Sequence, residues 1–372
     1  MNRTVLISGG GVAGLALAYW LQREGFTTTL IERSPELRSG GQAVDIRGVA
    51  LDVVKAMGLH DAVYARRTRL GGMSIVDAEG REIERTEERT FSAGRLDSDD
   101  IEIFRDDLCG LLLNQVGEHV EYIYGDSITA IQQDANSNAV SFRSHPDRHF
   151  DFVIGADGVY SNVRKLVFGS DTSFVKPLGV TMALFTTPNL IDLQSWQLAH
   201  REETVGYVIY PSFDQTQLRV GVGFGAEPGE VSRNDVAAQK AMIATKCKHL
   251  GGYFPQLLDA MRDTSQFYCG DLAQIHMPGW TQGRVALVGD AGYCASPFSG
   301  QGTSLALVGA LILAKALAQT PEDFALAFAA YEERMRPFVK LNQELVDMER
   351  RGHVPDDQLT AAKYGISLDG LL

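Results

Sequence analysis

The chain has 372 residues, 45% of them hydrophobic and 22% charged, and a formal net charge of -13. This length exceeds one ordinary core, so two packed regions are expected, and the composition excludes a disordered chain. An acidic surface repels phosphate backbones and anionic lipid, so neither nucleic acid nor a membrane is an expected partner. The four cysteines, Cys109, Cys247, Cys269 and Cys294, form no CxxC pair and fit no zinc spacing. They read as reduced thiols of a cytoplasmic protein, with no metal site.

In chain order, Thr4 to Ser8 is an apolar, β-branched run that predicts a buried parallel strand. Val12 to Arg23 predicts a helix, which Gly25 is placed to end, and Thr27 to Ile31 predicts the next strand. This is the β-α-β unit of a helix-covered parallel sheet. Residues 73–83 predict a hairpin around Glu79 and Gly80. Asp106 to Val116 predicts a helix, and strands are expected over Val120 to Ile131, Val140 to Arg143 and Phe150 to Ile154. Residues 174–226 are strand-rich, with Leu218, Val220, Val222 and Phe224 on one face. A helical stretch over 234–263 follows, then a buried strand over Val285 to Val288. Helix is expected again from Thr303 to the mid-340s. Its apolar part, Thr303 to Ala314, ends at Lys315, short of the about 20 residues a membrane span needs. The tail, 352–372, has little pattern.

Three turns stand out, each directly after a predicted strand. The first is Gly9-Gly10-Gly11-Val12-Ala13-Gly14, a G-x-G-x-x-G match in the strand-to-helix setting that gives this motif meaning. Its glycines serve a tight turn, approach to a pyrophosphate and close helix packing. The helix start offers free N–H groups and the positive dipole end, with Val12 and Ala13 in its first turn. Glu32 follows Gly14 by 18 residues, with Arg33 beside it; its carboxylate suits ribose hydroxyls. The second turn is Gly155-Ala156-Asp157-Gly158-Val159-Tyr160-Ser161-Asn162-Val163-Arg164, in which a helix begins near Ser161. The third is Gly289-Asp290-Ala291-Gly292, followed by Pro297-Phe298-Ser299-Gly300-Gln301-Gly302-Thr303 and an apolar helix.

In this order the three turns resemble the class A FAD-dependent aromatic monooxygenases, the para-hydroxybenzoate hydroxylase-like group. The stretch Gly40-Gly41-Gln42-Ala43-Val44-Asp45-Ile46-Arg47-Gly48 is similar to the tetracycline-inactivating monooxygenases and their relatives. The resemblance implies an α/β fold: a Rossmann-type FAD/NAD(P)-binding domain, an inserted β-sheet substrate domain and a C-terminal helix. The expected division is 1–71, 98–170 and 271–340 for FAD, 72–97 and 171–270 for substrate, and 341–372 as a helical tail. By the same likeness Gly9, Gly11, Gly14 and Glu32 hold the ADP half of FAD, and Asp157 touches FAD and NAD(P)H. Asp290 holds the ribityl chain and pyrophosphate, Arg105 and Asp45 contact FAD, and Arg38 or Arg47 meets the nicotinamide cofactor. Pro297, Gly300, Gln301 and Gly302 form the late cofactor turn, whose helix start could stabilise negative charge on a reduced flavin.

The implied reaction is hydroxylation of an aromatic or polycyclic small molecule, such as a phenol, a polyketide or a tetracycline-like compound. It uses NADH or NADPH and O₂ and proceeds through a flavin C4a-hydroperoxide in a monomer or homodimer. The flavin carries the chemistry, so no protein acid–base triad is expected and none is visible. Pro297 and Phe298 are expected to floor the reaction site. Phe185, Tyr210 and Phe224 are candidate walls, with ordinary sheet core as the alternative for each. The rival readings are a non-catalytic or redox-sensing flavoprotein, another flavoenzyme such as a reductase or halogenase, and a plain NAD dehydrogenase. The halogenase lacks support because Trp20, Trp196 and Trp280 lie far apart in the chain.

Overall fold

A computed structural model describes residues 3–36, 40–227, 229–230, 235–350 and 354–372. β1 (Thr4–Ser8) carries Val5, Leu6 and Ile7 with no exposed surface, as a strand covered on both faces requires. α1 (Val12–Arg23) and β2 (Thr27–Glu32) follow as expected. Next come β3 (Ala43–Ile46), α2 (Val49–Ala56), α3 (His60–Ala65), β4 (Met73–Val76) and β5 (Glu82–Thr86). Two short strands, β6 (Arg89–Thr90) and β7 (Gly94–Arg95), lead to β8 (Ile101–Phe104) and α4 (Arg105–Val116). The strand expected over 120–131 is two, β9 (Glu121–Tyr124) and β10 (Ile128–Gln133). Between them Gly125 has φ +73° and the buried Asp126 accepts N–H groups from Ser127, Ser144 and His145, which fixes a turn. β11 (Asn138–Phe142) and β12 (Arg148–Phe150) complete a small antiparallel sheet before β13 (Phe152–Gly155) and α5 (Asn162–Phe168).

The long β14 (Val175–Pro188) opens the second layer with β15 (Gln197–Arg201), β16 (Val205–Pro211) and β17 (Gln217–Gly225). Helical structure over 234–263 is split into α6 (Val236–Lys246) and α7 (Phe254–Asp263). The break falls at Gly251 and Gly252, which pack against the tip of the β4–β5 hairpin at Glu79 and Gly80. β18 (Phe267–Ile275), β19 (Thr281–Gln282) and β20 (Val285–Leu287) return to the first layer, and α8 (Asp290–Tyr293), α9 (Gly302–Gln319), α10 (Phe324–Gln343) and α11 (Asp356–Tyr364) finish the chain.

Two sheets organise the molecule. The first runs β19-β20-β13-β1-β2-β9 and is parallel except at β19; the second runs β18-β14-β17-β16-β15-β4-β5. α9 has the length and mean hydropathy, 1.5, of a membrane span, but 72% of it is buried inside the protein. Lys315 does not end it, because its ammonium reaches Glu24 of the neighbouring turn at 2.8 Å while its stem stays over apolar surface. The unpatterned tail is anchored: Ile366, Leu368 and Leu371 are buried, Asn342 Nδ2 donates to Ala362 O, and Arg334 donates to Ser367 O. These anchors follow no period, so they leave no signal in the sequence.

Candidate functional site

Strand register builds the site. Ser8 of β1 lies opposite both Ile31 of β2 and Gly155 of β13, and Gly155 lies opposite Leu287 of β20. Four parallel strands therefore end together, and the three glycine turns leave from one edge of the sheet. This is where a doubly wound sheet binds its ligand. Hydrogen bonding continues past the strand ends: Gly9 N donates to Ile31 O, Ala156 N to Ser8 O and Val288 N to Gly155 O, each within 2.9 Å. The turns also touch. A Cβ on Gly9, whose φ is +116°, would sit 2.4 Å from Ala156 O, and one on Gly289 would sit 2.9 Å from the Ala13 Cβ.

The arrangement fits FAD. α1 and α9 both begin without a side-chain cap, so their first N–H groups are open to negative charge. A Cβ on Gly11 would meet nothing within 4 Å, which leaves room above the α1 terminus for a pyrophosphate. Glu32 is anchored there, its oxygens accepting from Gly10 N and Ser34 N at 2.8 Å and keeping lone pairs for a ribose. Asp45 Oδ1 and both ends of the Gln301 amide are buried with no partner, an expensive state unless a ligand supplies one. Asp290 opens α8, and burial pushes its carboxyl above the ordinary range. Ser296, just before Pro297, has φ +75°, a costly conformation for a non-glycine residue. Its Oγ accepts from Phe298 N, and Pro297 and Phe298 remain exposed.

The structure departs from expectation at Asp157. Its carboxylate turns inward: Oδ2 accepts from Asn162 N and Val163 N at 2.8 and 3.1 Å, and Oδ1 accepts from Ser161 Oγ. The side chain caps α5. Arg164 ends the second motif, and the sequence alone assigns it no role; it has no exposed surface. It donates to Val159 O and to Ala291 O and pairs with Asp171, tying the second turn to the third. Arg38 lies outside the described residues. Arg33 is exposed at the end of β2. Arg105 donates to Gly40 O at 3.1 Å, so it braces the 40–48 strip from the start of α4.

Arg47 belongs to a buried charge cluster. It pairs with Asp45 at 2.8 Å and approaches Asp100 at 3.8 Å, while Lys363 of α11 pairs with Asp100 at 2.6 Å. Glu102 stands opposite Asp45 across β3 and β8. Three carboxylates thus face two cations. Burial pushes Asp45 up to about 7, opposed by Arg47, and raises Glu102 as well. A Cβ on Gly300 would lie 3.1 Å from the Arg47 guanidinium, so the cluster abuts the late cofactor turn.

Two expected pocket walls are corrected. Phe185 and Phe224 sit on the face of the second sheet covered by α6 and α7, packed with Ile243, Leu257 and Met261. Strand alternation puts them away from the flavin layer. Tyr210 lies on the opposite face, but it is buried at the junction of the layers, where its Oη accepts from Ala43 N and its ring stacks on Phe104. Arg219, beside it in register, links the layers through Thr186, Gln266 and Asp106.

The fold and the converging turns define an oxidoreductase that holds a flavin dinucleotide. The model of the FAD binding domain family matches residues 2–344. An uncharacterized protein of Mycobacterium tuberculosis (strain H37Rv) is 45% identical over 96% of each chain. A flavin-dependent monooxygenase of Legionella longbeachae is 35% identical over 92% of this chain and 87% of that one. The crystal structure of tetracycline destructase Tet(55) superimposes with a TM-score of 0.87 at 34% identity, covering 99% of this chain and 98% of that one. The chain belongs to the FAD binding domain family and is an FAD-dependent monooxygenase.

Proposed function

We propose that this enzyme hydroxylates a flat aromatic or polycyclic small molecule, with O₂ as oxygen source and NADH or NADPH as electron donor. One observation carries the substrate class. On the face of the second sheet opposite α6 and α7, Gly270, Met182, Gly223 and Gly206 lie side by side in register, and Tyr268, Leu184, Gly221 and Val208 form the next row. Four of these eight residues lack a side chain and none is charged. Tyr268 folds over Gly270, where an added Cβ would lie 2.7 Å from its Oη, and the low glycine surface beside that ring offers a planar apolar molecule a place to stack. The same face leads along β18 to Gln274, whose Nε2 donates to Ala295 O beside the exposed Pro297 and Phe298. The similarity to a tetracycline destructase agrees with a multi-ring substrate.

Bound FAD would supply the redox chemistry, with electrons drawn from the nicotinamide and O₂ activated. The protein supplies placement and dryness. The α1 and α9 termini would hold the dinucleotide's negative groups, Glu32 would hold the ribose, and Asp290 would take the ribityl chain. The glycine ledge sets the substrate ring against Pro297 and Phe298, and the layer junction at Tyr210 and Arg219 keeps water from that end. All four cysteines are buried and none forms a disulfide, which suits the reducing cytoplasm.

The test fills the ledge. Gly223 has an ordinary backbone conformation and a Cβ there would meet only Val180 Cγ1 at 3.9 Å, so Gly223→Leu should fold and retain FAD. For the wild type, a panel of phenols, polyketides and tetracyclines should contain compounds that speed NAD(P)H oxidation and gain one oxygen atom. Gly223→Leu should lose that stimulation by roughly tenfold or more, as a buried isobutyl group displaces a ring. Full stimulation in the variant, or none by any compound in the wild type, would refute the assignment.

A further inference from the structure

We infer that Arg67 and Arg69 form a docking site for the 2′-phosphate of NADPH, an inference that rests on reading the chain as an NAD(P)H-dependent monooxygenase. Residues 65–69 read Ala-Arg-Arg-Thr-Arg in a chain whose net charge is -13. Thr68 points inward: its Oγ1 donates to Glu102 Oε1 at 2.6 Å and its N–H to Glu102 O at 2.8 Å. In extended chain the neighbours on either side then face outward, about 6.5–7 Å apart. Long side chains rooted at that backbone spacing can converge on one phosphate, each through charge-assisted N–H···O bonds of about 2.8 Å.

Among the described residues, neither arginine pairs with a carboxylate. Arg67 donates to Tyr64 O at 2.8 Å and lies 3.8 Å over the Tyr64 ring, and Arg69 lies 5.0 Å from the centre of the Phe213 ring. Both rings are open to solvent, Tyr64 49% and Phe213 39% exposed, so an adenine has an aromatic face available beside the phosphate. The nearby acids are engaged elsewhere. Asp107 pairs with Arg66 at 3.1 Å, Asp214 accepts from Ser212 and Thr216, and Asp61 contacts His60. Position supports a donor site. Arg67 bridges to Ile103, two residues before Arg105 at the start of α4, and Phe213 lies between β16 and β17 of the second sheet. The patch therefore spans the two layers next to the strip expected to contact the flavin. A guanidinium pair with flanking aromatic faces matches an adenosine bearing a phosphomonoester on its ribose better than a bare anion.

The test uses the FAD-loaded enzyme and two probes, adenosine 2′,5′-bisphosphate and adenosine 5′-monophosphate, titrated calorimetrically. The wild type should bind the bisphosphate at least about tenfold more tightly, with an advantage that shrinks as salt rises. Arg67→Ala/Arg69→Ala should bind both probes alike, and its KM for NADPH should rise about tenfold while its KM for NADH stays within about twofold. Arg67→Lys/Arg69→Lys, which keeps the charge but not the fork, should fall between. Equal binding of the two probes by the wild type, or an alanine double variant with an unchanged preference, would overturn the site. If no nucleotide is oxidised but bisphosphate binding still depends on the arginines, the site stands and the monooxygenase reading fails. If NADPH is oxidised vigorously with a KM indifferent to both arginines, the monooxygenase reading stands and the site fails.

Discussion

Gly14→Ala should yield a protein that purifies without FAD and unfolds at markedly lower denaturant. In an exposed helix the same change is favourable by about 1 kcal/mol, so the sign alone is informative. Here the added Cβ would lie 1.9 Å from Gly9 O and 3.3 Å from Ile7 Cγ2. The first neighbour is backbone in the tight turn, and it cannot rotate away. Relief requires α1 to lift from β1 or the Gly9 turn to open. Both movements displace Gly11 and the α1 terminus, where the pyrophosphate is expected. Forced backbone shifts of this kind cost about 1–3 kcal/mol. The check is the flavin-to-protein absorbance ratio after gel filtration, together with urea unfolding. Wild-type flavin content in Gly14→Ala would mean that α1 does not seat the cofactor.

Arg164→Met should destabilise the protein by about 3–5 kcal/mol, the range for breaking a fully buried, paired charge. The arginine makes contacts of 2.8 Å to Ala291 O and 2.6 Å to Val159 O and to Asp171 Oδ1. Methionine, shorter and without an N–H, would leave the buried Ala291 carbonyl and the half-buried Val159 carbonyl without this donor, and Asp171 would keep Lys165, 3.0 Å away. Because Val159 and Ala291 belong to different cofactor turns, FAD release should accelerate in the same variant. Arg164→Lys should rescue little, since one ammonium cannot reproduce a planar fork aimed at three acceptors. Urea unfolding of the FAD-free proteins measures the first effect and flavin fluorescence recovery after dilution the second. A loss under about 1 kcal/mol with unchanged release would show that the turns are held together by other means.

The parts of the fold legible in the sequence were those encoded locally. Val5, Leu6 and Ile7 ahead of a glycine turn specify a buried parallel strand, and α1 runs over the residues its pattern predicts. The face shared by Leu218, Val220, Val222 and Phe224 was legible from alternation. Which layer covers that face was not, because it depends on α6 and α7 arriving from later in the chain. That is why Phe185 and Phe224 read as pocket walls. Nothing in the sequence assigns Arg164 a role, because the Ala291 carbonyl it holds comes from far along the chain. The glycine ledge exists only through register across β18, β14, β17 and β16; single glycines in strands do not announce it. Asp157 was visible as a turn residue, but whether its carboxylate faces a ligand or caps α5 depends on a rotamer that spacing does not fix.

Turns from widely separated parts of the chain should together hold one flavin dinucleotide, and that convergence is what every role above depends on. It is tested most directly by fluorescence titration of the FAD-free protein with FAD, ADP and FMN, for the wild type, Glu32→Ala and Asp290→Ala. One FAD should bind per chain, about tenfold or more weakly in each variant, the cost of one lost charged hydrogen-bonding group. ADP should respond only to Glu32→Ala and FMN only to Asp290→Ala. FAD affinity that ignores Asp290→Ala, or ADP and FMN both answering to the same single residue, would contradict the account.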